Sequence, residues 1–377
     1  RARTALILTA LIALFGCAEA ADRLVNLDPA LVGAPPYRRL FLDASVVEES
    51  AGLERVFHAA TKHAGSPVFV KEKPWEGWGP SCGGTVIRDG DKLRMYYCCI
   101  EGRHGVAESK DGLKWTRPVV GQVEWKGSKE NNIVNCSPQV FKLARPKSPE
   151  KTWVALGPCG LAWSRDGLRW SADKSVGRLF TSGDVVSFFF DPYRNRFCAT
   201  WKCASRRLRS CGIVWSEDLE HWVKPIDGPV FVPDDLDPDA TQIYGMPVFA
   251  YQGMYIGVPA IYHARNYKYG DYSANWLNEA QEGSLRTMDV QLAWSWDLIN
   301  WTRTPKREPF IPNSPYNAFD SGLAFASRAP VVMGDELWFY YSGWDQAHED
   351  YEGVDCSVGL ARLRMDGFCS MQAGDSE

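Results

Sequence analysis

One pattern recurs along this chain and narrows what it can fold into. "VAESKDGLKW" runs from Val106 to Trp115, "LAWSRDGLRW" from Leu161 to Trp170, "IVWSEDLEHW" from Ile213 to Trp222 and "LAWSWDLINW" from Leu292 to Trp301. All four fit [VIL]-[AV]-x-S-x-D-[GL]-x-x-W, and "VGLARLRMDGF", Val358–Phe368, is a degenerate fifth copy. The four tryptophans lie about 55, 52 and 79 residues apart, and the fifth copy ends about 67 further on. Periods of this size belong to propellers and solenoids, whose units cannot bury their faces alone.

The segments between the copies read as strands. "GGTVIRDGDKLRMYYCC" is a strand, an Asp-Gly turn and a strand, and the same order precedes the third, fourth and fifth copies in "VVSFFFDPYRNRFCATWK", "MPVFAYQGMYIGVPAIYH" and "APVVMGDELWFYYSGW". Each unit is therefore expected to be a four-stranded antiparallel meander, and five of them an all-β, five-bladed β-propeller. Ser-x-Asp-[Gly/Leu] is then the turn between the third and fourth strands, its Asp capping backbone N–H groups. The Trp that follows starts the outer strand, so these four tryptophans are structural.

Length and charge remove several alternatives. The chain has 377 residues, 45% hydrophobic and 23% charged, enough for a sizeable core. A net charge of -4 gives no footprint for nucleic acid or an anionic membrane. Residues 1–20 read as an export signal: Arg1 and Arg3, the apolar run "ALILTALIALFG", then "AEA" before Ala21. Cys17 offers a lipid-anchored alternative, and no later apolar run is long enough to span a membrane. Residues 21–65 are expected to pack on a propeller formed by 66–377, with a C-terminal β-sandwich beyond this fragment. Ten of the 11 cysteines follow the signal. Cys203 and Cys211 flank a turn at Arg206–Arg207 and either face each other across a hairpin or stay free and buried. No cysteine or histidine spacing suits a zinc site.

Repeated Ser-x-Asp-Leu-x-x-Trp turns in an exported propeller resemble the superfamily of glycosidase families 32, 43, 68 and 117. The resemblance covers about residues 66–369. It implies a five-bladed fold and a carbohydrate-active site in the central pit, requires no cofactor, and leaves a structural calcium unassigned to any residue. The chain lacks the W-M-N-D-P-N-G motif of the fructan enzymes and their later R-D-P and E-C signatures, which argues against fructose-containing substrates. Fold alone does not give function.

The candidate chemistry comes from geometry. The innermost strand of each blade begins near the pit, so polar residues at those starts converge, and glycoside hydrolysis asks for two carboxylates. The starts supply Glu76, Glu130, Asp184, Asp237, Asp239 and Asp320. Asp184 stands before a long apolar strand with no turn of its own to build, and Asp320 stands in the same relation to "SGLAFA". Glu76 lies between Trp75 and Trp78, an arrangement suited to a carboxyl raised in pKa beside a sugar platform. The catalytic candidates are thus Asp184, Glu76, Asp320 and Asp239, with Asp237 as a turn former and Glu130 in a solvated loop. Trp75, Trp78, Asn132, Gln242, Tyr244, His263 and Trp344 are the candidates for sugar contact. Arg55, His58, Lys62 and His63 either hold an acidic sugar group or are solvated, and the insertion 264–288 reads as a wall of the cleft.

The function expected is a secreted glycoside hydrolase cleaving a plant or algal polysaccharide or oligosaccharide with a pair of carboxylates. A non-catalytic carbohydrate-binding propeller and a glycoside phosphorylase are the alternatives. The expected partner is a carbohydrate, with no nucleic acid and no membrane span; the sequence leaves sugar, linkage, stereochemistry and oligomeric state open.

Overall fold

The computed structural model describes residues 23–205, 208–238, 241–264, 286–348 and 353–373. Its smallest recurring unit is the Ser-x-Asp turn. At Ser109–Trp115 the Ser109 hydroxyl accepts the Gly112 amide at 2.8 Å, and Asp111 Oδ1 accepts those of Leu113 and Lys114 at 2.9 and 2.8 Å. The same three bonds form around Ser164 and Asp166, Ser216 and Asp218, and Ser295 and Asp297. The residue after the Asp has positive φ every time: Gly112 76°, Gly167 74°, Leu219 71° and Leu298 72°. Glycine adopts this conformation freely. The two leucines accept its strain because their side chains are buried. Trp115, Trp222 and Trp301 each donate their indole N–H to the carbonyl of that residue, at 3.2, 3.2 and 3.0 Å.

Each turn closes an antiparallel meander. β1 (Leu53–Phe57) and β2 (Thr61–Lys62) precede the first, which is β3 (Val86–Asp89), β4 (Lys92–Cys98), β5 (His104–Ser109) and β6 (Ile133–Val134). The second is β7 (Val140–Lys142), β8 (Trp153–Gly157), β9 (Gly160–Ser164) and β10 (Ser171–Ala172). The third has β11 (Val186–Asp191), β12 (Arg196–Ser205) and β13 (Leu208–Ser216), with its outer side reduced to bridges at Trp215–Val223 and Cys211–Phe231. An excursion follows, of which β14 (Thr241–Gly245) is the first strand; β15 (Val248–Tyr251) and β16 (Met254–Gly257) open the fourth meander. After β17 (Ala260–His263) and β18 (Thr287–Val290), β19 (Ala293–Ser295) and β20 (Trp301–Arg303) complete it. The chain ends with β21 (Leu323–Ala326), β22 (Val331–Met333), β23 (Glu336–Trp344), β24 (Cys356–Arg364) and β25 (Cys369–Ala373).

The molecule is a β-propeller of antiparallel, mostly four-stranded blades with almost no helix among the described residues. It differs from the expected five four-stranded blades in two respects, the three-stranded third sheet being the first. Four blade sheets stand alone, whereas the last meander is fused into an eight-stranded sheet. The nine-residue β23 is the cause. Its first three residues pair with β22 and its last four with β21, and β21 continues the ladder into β18, β17 and β14. The outer strand of this last meander comes from the other end of the chain, since β2 pairs with β24, and β1 pairs with β25. The ring is thus closed by main-chain hydrogen bonds between its two ends.

The apolar core lies between successive sheets. Met95, Trp115, Trp338 and Tyr340 pack the first meander against the last, and Val154, Phe188, Phe190 and Phe197 join the second to the third. Each such side chain contributes roughly 1.5–3 kcal/mol on burial. Cys203 pairs with Ser210 and Cys211 with Lys202, so the two cysteines are one step out of register, and both are free thiols. Alternation along a strand sends them to opposite faces, which rules out the bridge across that hairpin. No helix among the described residues is long and apolar enough to cross a membrane.

Candidate functional site

The innermost strands carry two cavities along the ring axis. Residues at and just before their starts, including Gly83, Pro138, Asp184, Pro247 and Arg328, line a pit of about 840 Å³. Further along the same strands, Val86, Val140, Phe188, Val248 and Val331 line a second cavity of about 350 Å³, closed by residues 25–32. Residues of the short irregular segments before β3, β7, β11, β15 and β22 contribute to this lining, so distant stretches of sequence share one site.

The pit gathers Trp78, Asp184, Tyr244 and Trp344 from the sequence-derived candidates, together with His348. Asp184 is open to solvent, its side chain 72% exposed, and it pairs with Lys202 Nζ at 2.7 Å. Burial pushes its pKa up, but the Lys202 ammonium and the Arg209 guanidinium outweigh that and hold it below the usual carboxylate range. Lys202 itself is lowered, by burial first, and its ammonium lies 4.1 Å from the centre of the Tyr244 ring. The Tyr244 hydroxyl shares a hydrogen bond of 2.9 Å with His348 Nε2. Burial and the nearby cations Arg209, Lys202 and Arg286 pull His348 down to about 4, so its ring is neutral at pH 7. Trp78 is 59% exposed and offers a flat apolar face at the rim.

Other candidates lie away from the pit lining. Glu76 is buried at the end of the 3₁₀ turn Pro74–Glu76, where it accepts hydrogen bonds from Arg117, the Tyr97 hydroxyl and the amides of Glu72 and Lys73. Every lone pair it could offer a substrate is engaged. Trp75 and Asn132 belong to the same assembly: the indole donates to Asn132 Oδ1 at 2.9 Å, and Asn132 donates to the Tyr97 hydroxyl and the Val106 carbonyl. Asp320 is sealed from solvent beside Lys62 at 2.5 Å and Tyr341 at 2.8 Å, pinning the ring-closing strand β2. Gln242 is buried and accepts from Arg209 at 3.1 Å, and His263 pairs with Asp289 at 2.7 Å outside the pit lining. Asp239 lies outside the described residues, as do Arg206–Arg207, residues 1–22 and most of the insertion 264–288. Asp237 is bonded to Arg303 at 2.6 Å, a turn anchored to the fourth meander.

The pit also contains residues that a search for acids at strand starts passes over. Asp173 lines it, but its oxygens are taken by the Trp163 indole at 2.8 Å and by Ser175. His104 lines the wall and is lowered by burial. Arg328 stands in "SRAPVV" at the start of the last inner strand, where the sequence could have shown it had bases been sought alongside acids. Among the described residues no group of three histidine, cysteine or acidic side chains is placed to hold a metal.

No protein-family model and no curated protein sequence matches the chain. Solved structures do. A glycosyl hydrolase from Bacteroides ovatus aligns at 15% identity over 82% of this chain and 94% of its own, with a TM-score of 0.50. An N-acetylgalactosamine deacetylase from F. plautii, solved with blood group B trisaccharide, aligns at 13% identity over 84% and 97%, also with a TM-score of 0.50. The chain shares their propeller fold. At such identities the likeness reaches the fold and stops there.

Proposed function

We propose that this chain is an exported glycosidase of five blades, akin to families 32, 43, 68 and 117, that cleaves a plant or algal saccharide in its central pit. The five-blade count takes the three-stranded third sheet and the fused β22–β23–β24–β2 meander as blades. One observation carries the reading: of the acids proposed from sequence that lie among the described residues, Asp184 alone lines the pit, ionised and exposed, in a cavity it shares with Trp78, Tyr244 and Trp344. An ionised carboxylate suits the base or nucleophile of glycoside hydrolysis. Asp184 works with at least one of the other sequence candidates, Glu76, Asp239 or Asp320, and the aromatic faces hold the sugar rings. The test is a screen of the mature protein against plant and algal polysaccharides with reducing-sugar detection, repeated with Asp184→Asn. Release of sugar by the wild type and not by the variant supports the reading; equal release by both removes Asp184 from the chemistry.

A further inference from the structure

Arg328 is 6% exposed and touches both axial cavities, so it forms the partition between them and the floor of the pit. Its Nη2 donates to the carbonyl of Gly83, just before β3 of the first sheet, at 3.0 Å and to that of Val186, the first residue of β11 in the third sheet, at 3.1 Å. The side chain therefore reaches across the axis. Those two bonds use one nitrogen; Nε and Nη1 are buried with no hydrogen-bond partner among the described residues. No carboxylate pairs with it among the described residues. The ionisable groups that feel it are the Cys82 and Cys98 thiols, and burial raises both, Cys98 to about 11, so neither supplies negative charge at pH 7. Burial in turn lowers Arg328 to about 9, which leaves it a cation.

A buried cation without a counter-charge is expensive, and proteins keep such groups mainly where a ligand completes them. Two carbonyls alone do not ask for a charge, because a neutral donor would satisfy them. We infer that Arg328 is the floor of an anion subsite, recognising a carboxylate, sulfate or phosphate group that enters the pit. The pit side is favoured because it is the roomier, about 840 Å³ against about 350 Å³, and Asn135, Ser137 and Ser187 line it; the smaller cavity also carries Asp28, whose carboxylate would repel an anion. Placing that group on a saccharide rests on the glycosidase reading; the anion subsite itself does not.

The experiment is calorimetric titration of the full chain at low salt with glucuronate, glucose 6-sulfate, inorganic phosphate and, as neutral control, glucose. At least one anion should bind about tenfold or more tighter than glucose, the increment expected of hydrogen bonds to a charged group, and which one does so separates uronate, sulfate ester and free phosphate as the source. Arg328→Gln should bring that anion down to the level of glucose. Cys98→Asp supplies an internal carboxylate beside the guanidinium, so it should raise the melting temperature and abolish the preference even if Arg328→Gln fails to fold. The inference is overturned if no anion outbinds glucose, or if either folded variant keeps the wild-type preference. Anion binding without turnover of any glycoside would remove the glycosidase reading and keep the subsite, and turnover of neutral glycosides without anion binding would do the reverse.

Discussion

The carboxylates of the blade turns and the acidic residues near the inner strands are the same chemistry placed in two settings. In the turns, Asp111, Asp166, Asp218 and Asp297 are each held by amides two and three residues ahead, and every one has a lowered pKa. Around the axis the charged partners come from farther along the chain. Glu76 is taken by Arg117, Asp320 by Lys62, and Asp184 by a lysine that leaves it open to the pit. An acid with local partners has a fixed task; an acid whose partners come from far along the chain can become either a structural clamp or a reactive group.

The widest separation between the two settings should appear at Asp184. Asp184→Asn is expected to lower turnover by about 10²–10⁴-fold, the usual worth of a proton-transfer group. Its melting temperature should hardly move, since an exposed ion pair contributes about 0–1 kcal/mol. Reducing-sugar rates and a thermal melt on the same preparation check both halves. Glu76→Gln should behave in the opposite sense, losing about 3 kcal/mol, because the buried Arg117 keeps only the exposed Glu72 carboxylate and the Val70 carbonyl, and the amides of Glu72 and Lys73 lose a charged acceptor. Denaturant unfolding measures this, and a stable but inactive Glu76→Gln protein would move Glu76 from clamp to chemistry.

A smaller effect is expected from pH. His348 is held neutral with a folded pKa of about 4, below its ordinary value near 6.5, so the unfolded chain binds the proton first as pH falls. Stability should therefore be full above pH 6.5 and decline as pH drops toward 4. His348→Gln should flatten that part of a melting-temperature profile; an unchanged slope would show that His104 and the carboxylates govern it. Smallest of all, Asp166→Ala or Asp297→Ala should each cost about 1 kcal/mol, the worth of a side-chain cap on backbone amides, with turnover unaltered. A large loss of activity from either would erase the distinction between rim and pit.

Much of the fold was readable because its signals are short-ranged. The Ser-x-Asp-[Gly/Leu] turn needs only its own neighbours, and the alternation of Gly and Leu at one position reflects a left-handed residue that the sequence marks without naming. The fusion of the last meander was not readable, since a nine-residue β23 pairing with both β21 and β22 is a choice made by strands brought together in space. The site followed the same division. That inner-strand starts converge could be reasoned from the architecture, and Trp78, Tyr244, Trp344 and Asp184 do meet in the pit. That Trp75 and Asn132 bond each other beneath Glu76 could not, because 57 residues separate them.

The sequence by itself determined the repeating turn, the strands on either side of it and the acids available to the axis, since hydrogen bonds two or three residues apart and alternating burial are written into neighbouring positions. Only the tertiary structure decided which acid stays open to solvent, which is sealed by a lysine 258 positions away, and that an arginine is buried across the pit floor without a counter-charge among the described residues. The reason is electrostatic: the energy of a charge is set by its desolvation and its partners, and both depend on what distant parts of the chain bring to it.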